Sequence, residues 1–211
     1  MLGLLLNATR VAHYCQGEKA AKGEGVGIPD LSATGLLPLG RYECVESEIE
    51  ARFVCEARFT PSTSRVGIWR DFKAARVALE AIVPVLAVWL GGSFLTAKLD
   101  PDDIDALFLV DERVYPRLSP RDRVWVTAFS TKNALKSWTG WRVDSFVLPW
   151  APFPEPAPTR PDQASYYLFR GYWDDWWQRV QVSVPGTPSL PADSIPQRGY
   201  LEVTYRDYLR P

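Results

Sequence analysis

The feature that most constrains the fold is a run of six apolar residues, Val85 to Leu90. Gly91 and Gly92 follow directly and end the run. Such a run is too short for a membrane-spanning helix and has the usual length of a buried strand. Two more strand-like runs follow at residues 104–110 and 141–148. We therefore expect a buried strand with partner strands at the centre of the fold.

Sequence patterns typical of helices lie before and between these strands. Apolar residues spaced four and three apart predict a helix over residues 64–82, and we expect its basic residues, Arg65 among them, to face solvent. Ser119 and Pro120 suit the cap and first turn of a second helix, predicted over 120–137. A shorter helix and a last strand are predicted at residues 47–54 and 199–205. This order of elements is typical of an α+β (α/β-like) fold with a mixed sheet.

Composition argues against several classes of protein. The 211 residues include 24 Lys+Arg and 25 Asp+Glu, and a net charge of -1 disfavours a basic polymer-binding groove or a polybasic membrane surface. The longest apolar stretch, residues 81–90, is half the roughly 20 residues that span a bilayer. The 3 cysteines form no CxxC pair, so we expect no disulfide framework, no cysteine zinc site and a cytoplasmic location.

The chain divides into three regions by composition. Residues 1–27 contain a glycine-rich segment that alternates with Lys and Glu, which predicts a mobile N-terminal extension. Residues 28–148 hold most of the predicted strands and helices and form the core. Residues 149–211 are rich in proline and aromatic residues, and we expect them to pack on the core. Part of the aromatic cluster, with Trp176 and Trp177, is expected to be exposed and to dock an acceptor or a partner protein.

Two carboxylates stand at the start of the second predicted strand. Asp103 and Asp105 are two residues apart, so their side chains point to the same side, whereas Ile104 points into the core. Neighbouring carboxylates repel each other, and a divalent cation relieves that repulsion. Oxygen ligands of this kind suit Mg²⁺ or Mn²⁺. The alternative for this pair, taken alone, is an acidic turn before a strand.

Two further elements favour the metal site. Gly92 and Ser93 directly follow the first strand, where glycine lets backbone N–H groups approach an anion and the hydroxyl adds a donor. Asp144, on the third strand, supplies another carboxylate. Three such acids can hold the two metal ions used in nucleotidyl transfer.

Three other kinds of functional site lack the residues that they require. The only histidine is His13, in the N-terminal region, so no Ser–His pair is expected. Lys98 follows Gly92 by six residues, but the GxxxxGK[ST] pattern of a P-loop is absent. A calcium loop starting at Asp100 would lack its glycine at the sixth position and its glutamate at the twelfth.

On these residues the sequence resembles the nucleotidyltransferase superfamily of the DNA polymerase β type. The resemblance rests on Gly92-Ser93, on the Asp103-Ile104-Asp105 triplet ten residues later, and on Asp144. Residues 92–98 and 101–105 also resemble a little-characterised bacterial family of stand-alone nucleotidyltransferase-like proteins. That similarity extends over about residues 28–205.

The resemblance implies a small mixed sheet with helices on one face, and an enzyme that moves NMP from an NTP such as ATP to an acceptor. Gly92 and Ser93 would bind the triphosphate, and Asp103, Asp105 and Asp144 would bind Mg²⁺ or Mn²⁺. The acceptor stays open among RNA, protein and small molecules. Small relatives pair with partner proteins in toxin–antitoxin or phage-defence modules. The alternative is therefore a non-catalytic binding protein or antitoxin that inhibits a partner.

Overall fold

The computed structural model describes Cys15 and residues 27–150, 161–184 and 186–206. The mobile extension predicted for residues 1–27 thus lies outside the described residues, apart from Cys15 and Gly27. The described strands form one five-stranded sheet of order β1-β5-β2-β3-β4. Their bounds are β1 Arg41–Glu43, β2 Val85–Gly91, β3 Ile104–Asp111, β4 Val143–Trp150 and β5 Tyr200–Thr204. The sheet is mixed, as predicted, because β2 runs antiparallel to both neighbours whereas the outer pairs are parallel.

The described part of the chain also contains five α-helices. They are α1 Glu46–Phe53, α2 Arg65–Glu80, α3 Pro120–Phe129, α4 Ala134–Thr139 and α5 Pro161–Gln178. Four residues of the apolar stripe predicted for α2, Ile68, Phe72, Ala75 and Leu79, are buried in the larger core. The fifth, Ile82, lies beyond the end of the helix and is partly buried. That core lies on the sheet face covered by α1 to α4. No helix in the described ranges is long and apolar enough to cross a membrane.

The expectation of helices on one face only is wrong. A second core lies on the opposite face of the sheet, where α5 places Tyr166 and Trp177 against Trp89 and Leu107. The physical reason is that β2 and β3 are apolar on both faces, so both faces need cover. Trp177 is 3% exposed and Trp176 is 50% exposed, so the aromatic cluster is divided between core and surface.

The helix predicted over residues 120–137 is two helices. Ser119 caps α3 as expected, with its Oγ accepting a hydrogen bond from the Asp122 N–H. The chain leaves the helix after Phe129, and Asn133 adopts a left-handed conformation with φ of 62°. Asn is one of the few non-glycine residues that adopt this conformation readily. The periodic pattern did not show this break.

The cysteines also differ from expectation. Cys15 and Cys55 form a disulfide across 40 residues of sequence, and their Cα atoms lie 5.8 Å apart. The odd cysteine count predicted no disulfide framework, and one disulfide is nevertheless present, which no short spacing motif indicates. Cys44 is buried and free, and burial raises the pKa of its thiol to about 12.

Candidate active site

The predicted acids occupy neighbouring backbone positions at the start of two adjacent strands. Asp105 on β3 is in register with Gly91 on β2 and with Asp144 on β4. Directly paired residues of adjacent strands project from the same face, so Asp105 and Asp144 lie side by side. This is the placement expected for the strand of Asp144. Asp103 precedes Asp105 by two residues, so all three acids stand at one edge of the sheet, on the face that α5 covers.

The three carboxylates influence one another. Burial, assisted by repulsion from Asp103 and Asp144, raises the pKa of Asp105 to about 6, and the Arg198 cation opposes this shift. Burial also raises the pKa of Asp103, against the opposing effect of Lys136. Burial and the charge of Asp103 likewise raise the pKa of Asp144. The site therefore concentrates negative charge that nearby cations compensate only in part, and such a site attracts cations.

Glycine at position 92 brings the backbone against these acids. Its φ is 78°, which side chains rarely adopt, and a Cβ built on it would lie 1.6 Å from Oδ2 of Asp105. Ser93 then begins a short 3-10 turn, Ser93–Leu95. Neither the backbone N–H groups of Ser93 and Phe94 nor the Ser93 hydroxyl donates a hydrogen bond to any of the described residues. These donors are available to an anion next to Asp105.

Replacing this glycine tests the contact. We expect Gly92→Ala to displace the Asp105 carboxylate. On the hypothesis that this site binds Mg²⁺–NTP, the affinity should fall about tenfold or more, which corresponds to a loss of about 1.4 kcal/mol. The matched control is Gly140→Ala, because Gly140 has φ of 76° and open space around its missing Cβ. Both variants carry backbone strain, of about 1–2 kcal/mol at the left-handed Gly140 and more at Gly92, whose ψ of -167° is essentially restricted to glycine. Only Gly92→Ala also carries the clash. Equal nucleotide affinities by titration calorimetry would contradict the role of Gly92.

The donor set has the chemistry of a hard-cation site. It consists of three carboxylates, the ligand type that Mg²⁺ and Mn²⁺ prefer. Among the described residues, no group of three or more His, Cys, Asp or Glu side chains is arranged to hold a metal ion. The residues fit the cation in charge and ligand type, and Asp103, Asp105 and Asp144 would have to turn their side chains together to bind it.

Two residues from the C-terminal region complete the site, and sequence reasoning missed both roles. Trp177 lies against Gly91, where an added Cβ would be 2.9 Å from its Cδ1, and its indole N–H donates to the Trp89 carbonyl at 3.3 Å. Arg198 donates from Nε to the Trp177 carbonyl at 3.1 Å, and its charge acts on Asp105. No motif spacing links these residues to the acids, because only the packing of α5 brings them together.

Arg65 holds the segment that joins the two strands of the site. It is 1% exposed, which corrects the expectation that it faces solvent. Its guanidinium donates to five backbone carbonyls, those of Phe53, Phe94, Thr96, Lys98 and Leu99. Burial lowers the pKa of Arg65 to about 10, so it stays charged at neutral pH. The segment after Ser93 is thus wrapped around a buried cation.

Comparisons with known proteins place the chain in a family but do not indicate a function. No curated protein and no solved structure matches the chain. One family model matches residues 29–204, which cover most of the chain, including the glycine turn, the three acids, Trp177 and Arg198. The chain therefore belongs to the family of unknown function DUF6932.

Proposed function

We propose that the protein is a metal-dependent nucleotidyltransferase that moves NMP from an NTP to an acceptor. One observation carries this proposal. Asp105 lies in register between Gly91 on one strand and Asp144 on the other, with free backbone donors beginning at Ser93. This arrangement combines an anion cradle with carboxylates at one edge of the sheet, which is what nucleotidyl transfer requires.

Each residue then has a defined role. Gly92 and Ser93 bind the triphosphate through backbone N–H groups and the Ser93 hydroxyl. Asp103, Asp105 and Asp144 would hold Mg²⁺ or Mn²⁺, which when bound supplies charge neutralisation of the triphosphate. Asp144 also faces the acceptor, where it accepts the proton of the attacking hydroxyl. The new bond joins the acceptor oxygen to the α-phosphorus, and the bond from that phosphorus to pyrophosphate breaks.

Label transfer tests the proposal. The protein is incubated with each NTP labelled at the α-phosphate, with Mg²⁺ or Mn²⁺, and with host lysate. We expect a protein, RNA or small molecule to become labelled by one NTP, and expect no label from the same NTP labelled at the γ-phosphate. Label from the γ-position would indicate a kinase, and no label from any NTP would contradict the transferase proposal.

A second candidate function is a non-catalytic binding protein or antitoxin that keeps this fold and inhibits a partner. One observation favours it, a stripe of large apolar side chains on α5 that are half exposed or more: Leu168, Phe169, Tyr172 and Trp176. Exposed apolar patches of this kind mark interaction surfaces. The labelling experiment separates the two candidates, because a binding protein would label nothing. The cytoplasmic location expected from composition stays a prediction, and the Cys15–Cys55 disulfide argues against it, because disulfides persist mainly in oxidising compartments.

A further inference from the structure

A cavity of about 330 Å³ lies between the end of α5 and the loop that follows it. Its lining includes Trp176, Arg179, Ser189 and Arg198. Arg198 links the cavity to the acids, because it lines the cavity and its positive charge lowers the pKa of Asp105. The volume falls at the lower end of the range for small-molecule sites, roughly 300–1,000 Å³.

The wall of the cavity is fixed by the backbone. The N–H groups of Gln197 and Arg198 donate to the carbonyl of Gln178 at 2.7 and 3.1 Å. Arg179 forms an isolated bridge with Pro196. These contacts hold the returning loop against the C-terminal end of α5, so Arg179 and Arg198 keep their places at the cavity.

The cavity has an excess of positive charge. Its acid, Asp193, already accepts hydrogen bonds from the backbone N–H groups of Val182, Ser183 and Leu190. Within the described residues, Arg198 has no carboxylate in ion-pair contact, and Arg179 pairs with Asp175 while its buried Nε has no hydrogen-bond partner. The lining therefore holds one cation without an ion-pair partner, Arg198, and a second, Arg179, which is shared with Asp175 and whose Nε is not accessible to solvent.

An aromatic ring completes the lining. Trp176 is 50% exposed, and the Arg179 guanidinium carbon lies 5.9 Å from the centroid of its ring. A half-exposed indole next to a guanidinium offers a flat surface for a planar ring, and stacking on tryptophan tolerates every base. The combination of a ring surface with two cations matches a ligand that carries both a base and a phosphate.

We propose that this cavity binds a phosphorylated nucleoside, with the base on Trp176 and the phosphate on Arg179 and Arg198. This inference deepens the proposed function, since it names the acceptor as a nucleotide unit, either free or at the end of an oligonucleotide. Arg198 belongs to both the cavity and the acidic site, because it lines the cavity and its charge lowers the pKa of Asp105. The cavity needs no metal ion, so its binding is separable from that of the donor NTP.

Titration calorimetry on the full chain in EDTA tests this proposal. The probes are AMP, GMP, CMP and UMP, with inorganic phosphate and a 5′-phosphorylated oligonucleotide as further arms. We expect at least one nucleotide to bind, and Trp176→Ala or Arg179→Gln to weaken it roughly tenfold. Tighter binding of the oligonucleotide would assign the site to a nucleic-acid end, and tighter binding of the free nucleotide would assign it to a small molecule.

Matched variants control for general effects. Phe169→Ala removes an equally exposed ring of α5 that does not line the cavity, and Arg70→Gln removes an exposed cation from α2, on the opposite face of the sheet. Both should bind as the unmodified chain does. If Trp176→Ala unfolds, Ser189→Trp fills the cavity from an exposed position and should abolish binding.

Three results would overturn the proposal. They are no binding by any nucleotide, equal binding by inorganic phosphate, and unchanged binding in Ser189→Trp together with Arg179→Gln. Failure of the proposed transferase activity gives a different pattern. In that case the nucleotide still binds in EDTA and depends on Trp176, but no NTP transfers its label.

Discussion

The double variant Asp103→Asn, Asp105→Asn is expected to lose all stabilisation by Mg²⁺ or Mn²⁺ with NTP. A ligand at 100 times its dissociation constant stabilises the native state by about 2.7 kcal/mol, and the unmodified protein should show a gain of this size. The variant should show none, because it removes two of the three charges that attract the cation. Thermal melting with and without metal and NTP measures the difference.

The same variant should not be less stable than the unmodified protein when metal is absent. Burial raises the folded-state pKa of Asp105 to about 6, above its unfolded value. The ionised carboxylate therefore destabilises the fold fully above pH 6, and the effect vanishes below the unfolded pKa. Removing the charge should raise the free energy of unfolding at pH 7 by on the order of 1–3 kcal/mol.

The matched control is Asp102→Asn, which removes an exposed neighbouring acid that pairs with Lys98 at 2.9 Å. It should keep the full response to metal and NTP and gain no stability. A double variant that still responds to metal and NTP, or a control that loses the response, would refute the assignment of the site to Asp103 and Asp105.

Local sequence patterns were sufficient to predict the strands that carry the acids of the site. The spacing of Asp103 and Asp105 fixes a common side, and the apolar runs around Asp144 predict a strand. Both follow from the two-residue repeat of a strand, which holds wherever the strand lies. The contact between Gly92 and Asp105 was also accessible, because a glycine after a buried strand indicates close approach of the backbone. The activity of the site stays a proposal.

The other features of the site and of the fold depend on contacts between segments that are distant in sequence. Nothing near α5 in sequence shows that Trp177 lies on Gly91, or that Arg198 acts on Asp105. Strand β1 is only three residues long, too short for a two-residue repeat to stand out. The second face of the sheet was missed for a related reason, since a continuous apolar strand does not tell which elements cover it. All of these features result from tertiary packing, which local sequence patterns do not report.

Arg65 shows where a hydropathy pattern misleads. It lies at the first position of α2, three residues before Ile68 and seven before Phe72, so it continues the buried face although its charge alone predicts exposure. Here it is buried because five carbonyls need a donor, and a guanidinium presents five N–H groups in a planar fork. The hydrogen-bonding needs of a loop, which no periodicity reports, outweigh the cost of burying the charge.

The substitution Arg65→Met is expected to produce the largest loss of stability in the molecule. It leaves the carbonyls of Phe94, Thr96 and Lys98 buried or half-buried without their donor, and we expect the free energy of unfolding to fall by about 3–5 kcal/mol. Arg65→Lys should lose less, because it keeps the charge but has three donors instead of five. Urea unfolding followed by tryptophan fluorescence measures both.

The control for this prediction is Arg70→Met, which changes a largely exposed arginine of the same helix and should alter stability by no more than about 0.5 kcal/mol. The variant Arg65→Lys separates folding from function. Because Ser93 begins the segment that Arg65 holds, nucleotide affinity should fall in this variant even at temperatures where it is fully folded. If Arg65→Lys binds Mg²⁺–NTP as the unmodified protein does, Arg65 supports the fold alone and does not position the turn at Ser93–Leu95.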